Sequence, residues 1–346
     1  GSLVEGAWRR LDLDPDISRS GIAGPARTNG RLVVLPYQEG ELRLEPKGRG
    51  WIGELIEDGN SFQDRSVLRI HPAFRDDIGD LVTRRPVPGP GLDQIDPFLF
   101  LNHHGPQTYA ANNNGLPFGP HPHRGFETVT FILEGELAHN DSAGGESIIK
   151  AGGIQWMTAG SGLIHAELSP AAFKRDGGPM EILQLWTNLP SRLKMTAPAY
   201  VGLQAEDIPT FEAAAGVRVE PVSGQWLGVK APVQSLIDID LAVLRLTEGA
   251  EIRIPIAQGR NVFFYVVRGE ATVAEKAVSA FNLAALSDGE AVSIKASKEA
   301  VVLLGHAEPI GEPVFSHGPF VMNTRDEIIQ AIQDYQSGKF GPPPAV

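Results

Sequence analysis

Short runs of apolar residues alternate along the chain with glycine and proline, and apolar residues at helical spacing are scarce. Each run has the length of a β-strand, and the residues between the runs favour turns. Many short strands joined by such turns predict an all-β sandwich or barrel. The clearest strand-like runs are residues 31–36, 98–101, 128–133, 182–186, 241–246, 262–267 and 300–304.

One helix is predicted near the end of the chain. Thr324 stands three residues before Glu327, which is the spacing of a capping box, where each side chain bonds the backbone N–H of the other residue. Gly338 fits the end of the helix, because glycine readily adopts the left-handed backbone found there. The apolar face predicted for this helix consists of Ile328, Ile332 and Tyr335.

A stretch in the first half of the chain is repeated in the second half. Residues 129–136 match residues 263–270, and in both a hydrophobic strand ends at a Gly-Glu pair. Such a repeat predicts two copies of one β-domain, and 346 residues also exceed one typical core. We therefore predict an N-terminal extension at 1–75, a first barrel at 76–205 and a second barrel at 206–346 that ends in the helix.

Charge and apolar content narrow the class of protein. The formal net charge is −12, whereas a nucleic-acid-binding domain usually presents a basic face, so we expect no direct contact with nucleic acid. No apolar run approaches the roughly 18 residues that span a bilayer, so we expect no transmembrane helix and a cytoplasmic protein. The chain begins Gly1-Ser2 rather than with methionine, which leaves open a targeting peptide ahead of it.

Histidine and glutamate are the candidate metal ligands, because the chain has no cysteine and so no thiolate or disulfide. His121-Pro-His123 offers two imidazoles at positions i and i+2, which share one face of a strand. His165-Ala-Glu167 repeats that spacing with an imidazole and a carboxylate. Two such pairs on neighbouring strands suit one divalent ion such as iron(II), and also Mn, Ni, Cu or Zn.

The residues around these pairs resemble two motifs of the cupin superfamily. Residues 160–165 resemble the second cupin motif, and the first is matched in order and spacing by Gly115, His121, His123, Glu127 and Gly135. Longer segments resemble the pirin family in particular, namely residues 121–129, 155–160, 183–190 and 318–324. The resemblance runs from about residue 77 to residue 341. It implies a bicupin with one metal, usually iron(II), in its N-terminal barrel.

The resemblance to pirins also implies which residues bind the metal. The four ligands of the family fall on His121, His123, His165 and Glu167. Glu127 holds a position that many cupins use for a ligand, but pirins use the later glutamate instead. Glu127, Gln155 and Arg124 lie near the ligands in sequence, and we predict that they are candidates to hydrogen-bond and orient them.

The other histidines are weaker candidates. Aligning the two Gly-Glu pairs places Pro255 and Ala257 at the positions of His121 and His123, so the second barrel is predicted to bind no metal and to be structural or a partner interface. His306-Ala-Glu308 follows the strand that corresponds to residues 182–186, and we interpret it as a coincidence. We interpret His103 and His104 as loop histidines with satisfied hydrogen bonds, the alternative being that one of them lines the pocket entrance. We interpret His139 as exposed.

The ligand set points to oxygen chemistry. Four protein ligands leave coordination positions free on an ion that prefers more, so a substrate oxygen or dioxygen can bind there. Some pirin-like proteins cleave the flavonol quercetin with dioxygen. The resemblance therefore implies a metal-dependent dioxygenase of the quercetin 2,3-dioxygenase type, with a small aromatic substrate. Glu167 would be its catalytic residue, accepting the proton of a substrate hydroxyl.

A second hypothesis is a redox-sensing regulator that binds a transcription factor or an enzyme without catalysis, because the resemblance to pirins implies that role too. An opening that reaches the metal and admits an aromatic ligand favours the enzyme, whereas a sealed site beside a flat charged patch favours the regulator. A purely structural metal is a third hypothesis, although structural sites usually have a closed ligand shell. The extension at 1–75 departs from the family pattern, and the sequence leaves its role open.

Overall fold

The computed structural model describes the backbone of three strands before residue 57 and, with side chains, residues 63–345. The three strands, β1 (Val33–Tyr37), β2 (Gly40–Lys47) and β3 (Gly50–Ile56), form one antiparallel sheet in that order. They belong to a compact unit over Gly1–Gln63, and Asp64–Val346 forms the other unit. The strand predicted at 31–36 coincides with β1 from Val33 onward, and its first two residues lie outside the described part of the chain.

The strands of the first barrel lie between residues 74 and 203, and one further strand, which starts at Val67, precedes them. The elements in this part of the chain are β4 (Val67–Pro72), β5 (Phe74–Arg75), β6 (Thr83–Val87), β7 (Phe98–Tyr109), β8 (Phe118–His123), β9 (Phe126–Glu134), β10 (Glu136–Asp141), β11 (Glu146–Lys150), β12 (Ile154–Thr158), β13 (Leu163–Leu168), α1 (Ala171–Asp176), β14 (Gly178–Asn188) and β15 (Ala199–Leu203). A seven-stranded sheet of order β15-β12-β9-β14-β7-β6-β5 faces a four-stranded sheet of order β11-β10-β13-β8.

The second barrel repeats this arrangement. Its elements are β16 (Phe211–Ala214), β17 (Val217–Ser223), β18 (Gln225–Trp226), β19 (Val229–Lys230), β20 (Ile239–Leu246), β21 (Glu251–Pro255), β22 (Asn261–Arg268), β23 (Glu270–Val273), β24 (Lys276–Ser279), β25 (Asn282–Leu286), β26 (Ala291–Ala296) and β27 (Ala300–Ala307), followed by β28 (Phe315–His317), β29 (Phe320–Met322) and α2 (Arg325–Gln336). The sheets have the orders β16-β17-β20-β27-β22-β25-β4 and β21-β26-β23-β24. The predicted all-β fold with two tandem cupin barrels is confirmed.

Strand β4 lies inside the range that we predicted as an extension, 1–75, yet it is part of the second barrel. It pairs antiparallel with β25, with His71 opposite Leu283. Arg65, just before the strand, is 2% exposed and donates a hydrogen bond to the carbonyl oxygen of Ala257. The sheet of the second barrel therefore includes a strand that precedes the first barrel in sequence. The two paired strands are more than 200 residues apart, so local sequence patterns do not predict the pairing.

The pleat of the strands divides the core into separate layers. Val129 and Phe131 on β9 point out of the first barrel and pack against residues of the second barrel such as Phe263 and Leu303. The inside of the second barrel is filled by another apolar cluster, which includes Phe264. The shared layer explains why both barrels belong to one compact unit, because it removes a large apolar area from water.

Helix α2 begins as the sequence predicts. The side chain of Thr324 accepts from the N–H of Glu327 at 3.2 Å, and the Glu327 carboxylate accepts from the N–H of Thr324 at 2.8 Å. The helix ends at Gln336, two residues before Gly338. On the predicted apolar face Ile328 is buried, but Tyr335 is 39% exposed. Neither α1 nor α2 has the length and apolar character of a membrane-spanning helix, and they are the α-helices of the described residues.

The helix packs against the first barrel, although it follows the second in sequence. Ile328 and Phe340 join a cluster with Ile164 of β13. Arg124 donates a hydrogen bond to the carboxylate of Asp334 in α2 at 2.9 Å, and these side chains are 5% and 10% exposed. The C-terminal element of the chain therefore covers the strands that carry the candidate metal ligands.

Replacing Asp334 by alanine is expected to lower the thermal midpoint of unfolding by roughly 5–10 °C. The change leaves the buried Arg124 guanidinium without its carboxylate, which costs on the order of 3 kcal/mol. Asp326→Ala is the matched control, because Asp326 lies in the same helix and is exposed, and it should cost less than about 1 kcal/mol. Equal shifts in the two variants would show that the buried pair contributes nothing specific.

Candidate metal centre

Strands β8 and β13 bring the predicted ligands together. They pair antiparallel, with His121 opposite His165 and His123 opposite Leu163. Residues that face each other across an antiparallel pair point to the same side of the sheet. The register then shifts between His165 and Glu167. The i, i+2 spacing read from the sequence thus places the three histidines on the inner face of the first barrel.

The three imidazoles form one compact cluster. A nitrogen from each of His121, His123 and His165 lies within 4.8 Å of the other two. The Nε2 atoms of His121 and His165 are 2.8 Å apart. The Nε2 atom of His123 is buried and has no hydrogen-bond partner among the described residues. Three converging nitrogens with one left unsatisfied are a donor set that fits a divalent metal ion.

The protonation of the cluster also suits a metal. The Nδ1 atoms of His121 and His123 contact the carbonyl oxygens of Gly119 at 2.7 Å and Pro319 at 3.3 Å. Each Nδ1 therefore carries the proton, which leaves Nε2 free to bind. Burial, with the neighbouring His121, lowers the pKa of His123 to about 3. Burial also lowers the pKa of His165, so both rings are neutral near pH 7, the form that binds metals.

Glu167 lies beside the cluster rather than within it. Its Oε2 atom is 3.8 Å from His165 Nε2. The side chain of Gln184 donates a hydrogen bond to the same oxygen at 2.7 Å, and Thr130 donates to Oε1 at 3.3 Å. The carboxylate is thus held next to the histidines by two side chains of the opposite sheet. Gln184 lies within a pirin-like segment of the sequence, but no motif singles it out as a functional residue.

Two of the three residues predicted to support the ligands lie close to them: Gln155 faces the barrel interior, and Arg124 contacts the loop before β13. Gln155 is opposite Thr130, its amide nitrogen is 3.4 Å from the Leu137 carbonyl oxygen, and its own amide oxygen is buried without a partner among the described residues. Arg124 was predicted to orient a ligand, but its hydrogen bonds go to other groups. It donates to the Ser161 carbonyl oxygen at 2.8 Å and to Asp334, so it ties the ligand strands to α2 instead of orienting a ligand.

Glu127 was predicted as a candidate to support the ligands, but the structure places it on another face of its strand. It shares a face of β9 with Val129 and Phe131, which pack against the second barrel. Thr130, which contacts Glu167, lies on the other face. The Glu127 carboxylate accepts a hydrogen bond from Thr158 at 2.7 Å, and burial raises its pKa. The strand pleat therefore directs Glu127 away from the histidine cluster.

His139 was predicted to be exposed, and that prediction was wrong. It is 2% exposed and lies on β10 opposite Glu167, so it points into the barrel. Its Nε2 atom is 2.8 Å from the carboxylate of Asp141. Burial alone would raise the pKa of Asp141, but the hydrogen bonds from His139, Gly145 and Ala143 outweigh it and lower the pKa. A second histidine–carboxylate pair therefore adjoins the metal ligands.

Aromatic side chains pack beside the cluster. Trp186 stacks on Phe100 at 4.5 Å and lies 4.4 Å from Phe126, measured between ring centres. Its ring centre is 5.4 Å from that of His123. Trp186, Phe100 and His121 are partly exposed. The cluster therefore lies beside two stacked, partly exposed aromatic side chains, which we call the aromatic wall (Phe100 and Trp186).

His103 and His104 lie in strand β7, not in a loop as predicted, but their hydrogen bonds are satisfied. His103 contacts Glu181 at 2.8 Å and Tyr265 of the second barrel at 2.9 Å. His104 contacts Thr83 at 2.9 Å. Both rings are buried. These two histidines thus support the packing of the first barrel and its contact with the second.

The second barrel has no equivalent cluster among the residues that the structure describes. Pro255 is opposite Ala291, in the place that the pair His121–His165 occupies in the first barrel. His306 lies at the end of β27, where its Nδ1 atom accepts a hydrogen bond from Arg260 at 2.8 Å. Neither position therefore offers the convergent nitrogens of the first barrel.

The fold and the site define a class of protein, a bicupin whose first barrel holds a histidine cluster that could bind a metal. The pirin family model matches residues 80–187, and the model of the pirin C-terminal cupin domain matches residues 241–341. The chain belongs to the pirin family. The resemblance noted from the sequence is confirmed.

Relatives and solved structures agree with this assignment. A pirin-like protein of Caulobacter vibrioides is 41% identical over 253 residues, 72% of this chain and 90% of that protein. Pirin of Homo sapiens is 38% identical over 265 residues, 75% of this chain and 87% of that protein. The crystal structure of a quercetin 2,3-dioxygenase from Acinetobacter baumannii superposes with a TM-score of 0.76 at 32% identity, and covers 81% of this chain and 99% of that one.

Proposed function

We propose that this chain is a metal-dependent dioxygenase of the quercetin 2,3-dioxygenase type, acting on a flavonol or a similar aromatic substrate. The observation that carries the proposal is the buried Nε2 atom of His123, which has no hydrogen-bond partner among the described residues and lies beside the partly exposed Trp186. This arrangement places a nitrogen that can bind a metal next to an aromatic side chain that can contact a planar ligand. The similarity to the quercetin 2,3-dioxygenase of Acinetobacter baumannii supports the reaction type.

We propose that His121, His123, His165 and Glu167 hold one metal ion in the first barrel, for which we predicted residues 76–205. Iron(II) is our first choice because the resemblance to the pirin family implies it, and Mn, Ni, Cu and Zn accept the same three imidazoles and one carboxylate. When bound, such an ion supplies Lewis-acid and redox chemistry toward a substrate oxygen and dioxygen. The remaining steps depend on the side chains around it.

The side chains around the cluster would bind and prepare the substrate. The partly exposed side of the aromatic wall offers apolar surface against which a flavonol ring system can pack. Glu167 would accept the proton of the substrate hydroxyl on a carboxylate oxygen. Gln184 keeps that carboxylate in place with its 2.7 Å hydrogen bond. The barrel walls, which bury His123 and His165 to 3% and 1% exposure, would exclude bulk water from the reacting atoms.

Loading the protein with iron(II) without oxygen, and then adding quercetin and oxygen, should bleach the flavonol absorbance. The metal-free protein should leave the absorbance unchanged, because the proposed reaction needs the ion. Absorbance spectroscopy under the two conditions measures the difference directly. If neither iron nor Mn, Ni, Cu or Zn supports turnover, the dioxygenase proposal is wrong, and the redox-sensing regulator becomes the better hypothesis.

A further inference from the structure

One histidine of the candidate metal site lacks the support that the other two have. The Nδ1 atoms of His121 and His123 contact the carbonyl oxygens of Gly119 and Pro319. The Nδ1 atom of His165 is buried and finds no hydrogen-bond partner in the part of the chain that the structure describes. A metal-bound histidine almost always donates its second ring N–H to an acceptor. His165 therefore needs an acceptor close to its Nδ1 atom.

His139 lies where that acceptor is needed. Strand β10 pairs with β13 so that Asp141 is opposite His165 and His139 is opposite Glu167, and opposed residues share one face of the sheet. The ring centres of His139 and His165 are 5.3 Å apart. Two imidazoles joined by an N–H···N bond of about 3 Å have ring centres roughly 5 Å apart. The two rings are therefore at the separation that such a bond requires.

The contacts of His139 determine which of its nitrogens can accept. Asp141 Oδ2 is 2.8 Å from His139 Nε2, and Oδ1 accepts from the N–H groups of Ala143 at 2.8 Å and Gly145 at 2.9 Å. A carboxylate held in this way is an acceptor, so Nε2 carries the proton and Nδ1 keeps its lone pair. Tyr200 stacks on the ring at 4.0 Å and 9°, which fixes its plane.

We infer that His139 is a positioning residue of the metal site. Asp141 orients His139, the Nδ1 atom of His139 accepts the Nδ1 proton of His165, and His165 Nε2 is thereby held toward the metal. The inference rests on the metal site of the proposed function, but not on the identity of the substrate. An outer partner of this kind typically changes metal affinity by about 10–100-fold.

The test measures cobalt(II) affinity by competition with a chelator, together with the visible absorption spectrum of the bound cobalt. His139→Phe keeps a ring that can stack on Tyr200 and removes both nitrogens, so we expect about 10–100-fold weaker binding and a shifted spectrum. Asp141→Asn should act in the same direction. Its amide can donate to His139 Nε2, which moves the ring proton to Nδ1 and removes the acceptor for His165.

His139→Gln supplies a new acceptor, and we expect it to recover part of the affinity and of the spectrum. Asn140→Ala is the matched control, because Asn140 lies on the same strand with its side chain on the opposite face. Thermal unfolding of the metal-free variants shows whether they fold. If His139→Phe does not fold, the cobalt affinity and spectrum of Asp141→Asn test the inference instead. Unchanged affinity and spectrum in the folded variants would overturn the inference. A wild-type protein that binds no divalent ion would overturn the metal site itself.

Discussion

Replacing His123 by alanine is expected to remove nearly all of the bound metal. The Nε2 atom of His123 is buried and has no other partner among the described residues, and the residue is 3% exposed. Losing a ligand should cost more than the roughly 10–100-fold that follows the loss of an outer partner. Elemental analysis of protein produced with excess iron measures the metal content per chain.

His306→Ala is the matched control for this experiment. His306 is also buried, but it lies in the second barrel and is bonded to Arg260. We expect its loss to leave the metal content unaltered. Near-full occupancy in His123→Ala would contradict the ligand assignment. A large loss of metal in His306→Ala would show instead that the second barrel contributes to metal binding.

The features that were predictable from the sequence depend on short-range geometry. The pair His121 and His123 shares a strand face because alternate residues always do, and Thr324 caps α2 through a contact three residues away. The same rule also applies to His139 and Asp141, which have the i, i+2 spacing of the ligand pairs. That signal was present in the sequence, but the position of His139 after a turn led to the wrong prediction of exposure.

The features that could not be predicted from the sequence depend on contacts between residues that are far apart in the chain. Alternation shows that Glu127 and Thr130 lie on opposite faces of β9, but not which face looks into the barrel. That choice is made by β12 and β14, the strands that flank β9. The pairing of β4 with the second barrel and the packing of α2 on the first barrel also depend on such distant contacts. In each case the partner lies far away in sequence.

Replacing Glu167 by glutamine is expected to slow quercetin bleaching by roughly a hundredfold per bound iron, the loss typical of a missing general base. The amide has the size of the carboxylate, its oxygen can accept from Gln184, and its NH2 group can donate to the Thr130 hydroxyl, which also accepts, so the position of the side chain should change little. It cannot take up the hydroxyl proton of the substrate. Rates measured at saturating iron and divided by the iron content separate proton transfer from weaker metal binding.

Glu127→Gln is the matched control, because it changes another buried glutamate on the same barrel by the same atoms. Its carboxylate faces the second barrel and bonds to Thr158, so turnover per iron should stay within about twofold of the wild type. If both variants slow turnover equally, the effect reflects the loss of a buried carboxylate in general. If Glu167→Gln retains most of its activity, the proton must go to another group. A selective loss in Glu167→Gln assigns the proton transfer to the carboxylate that Gln184 and Thr130 hold beside the histidines.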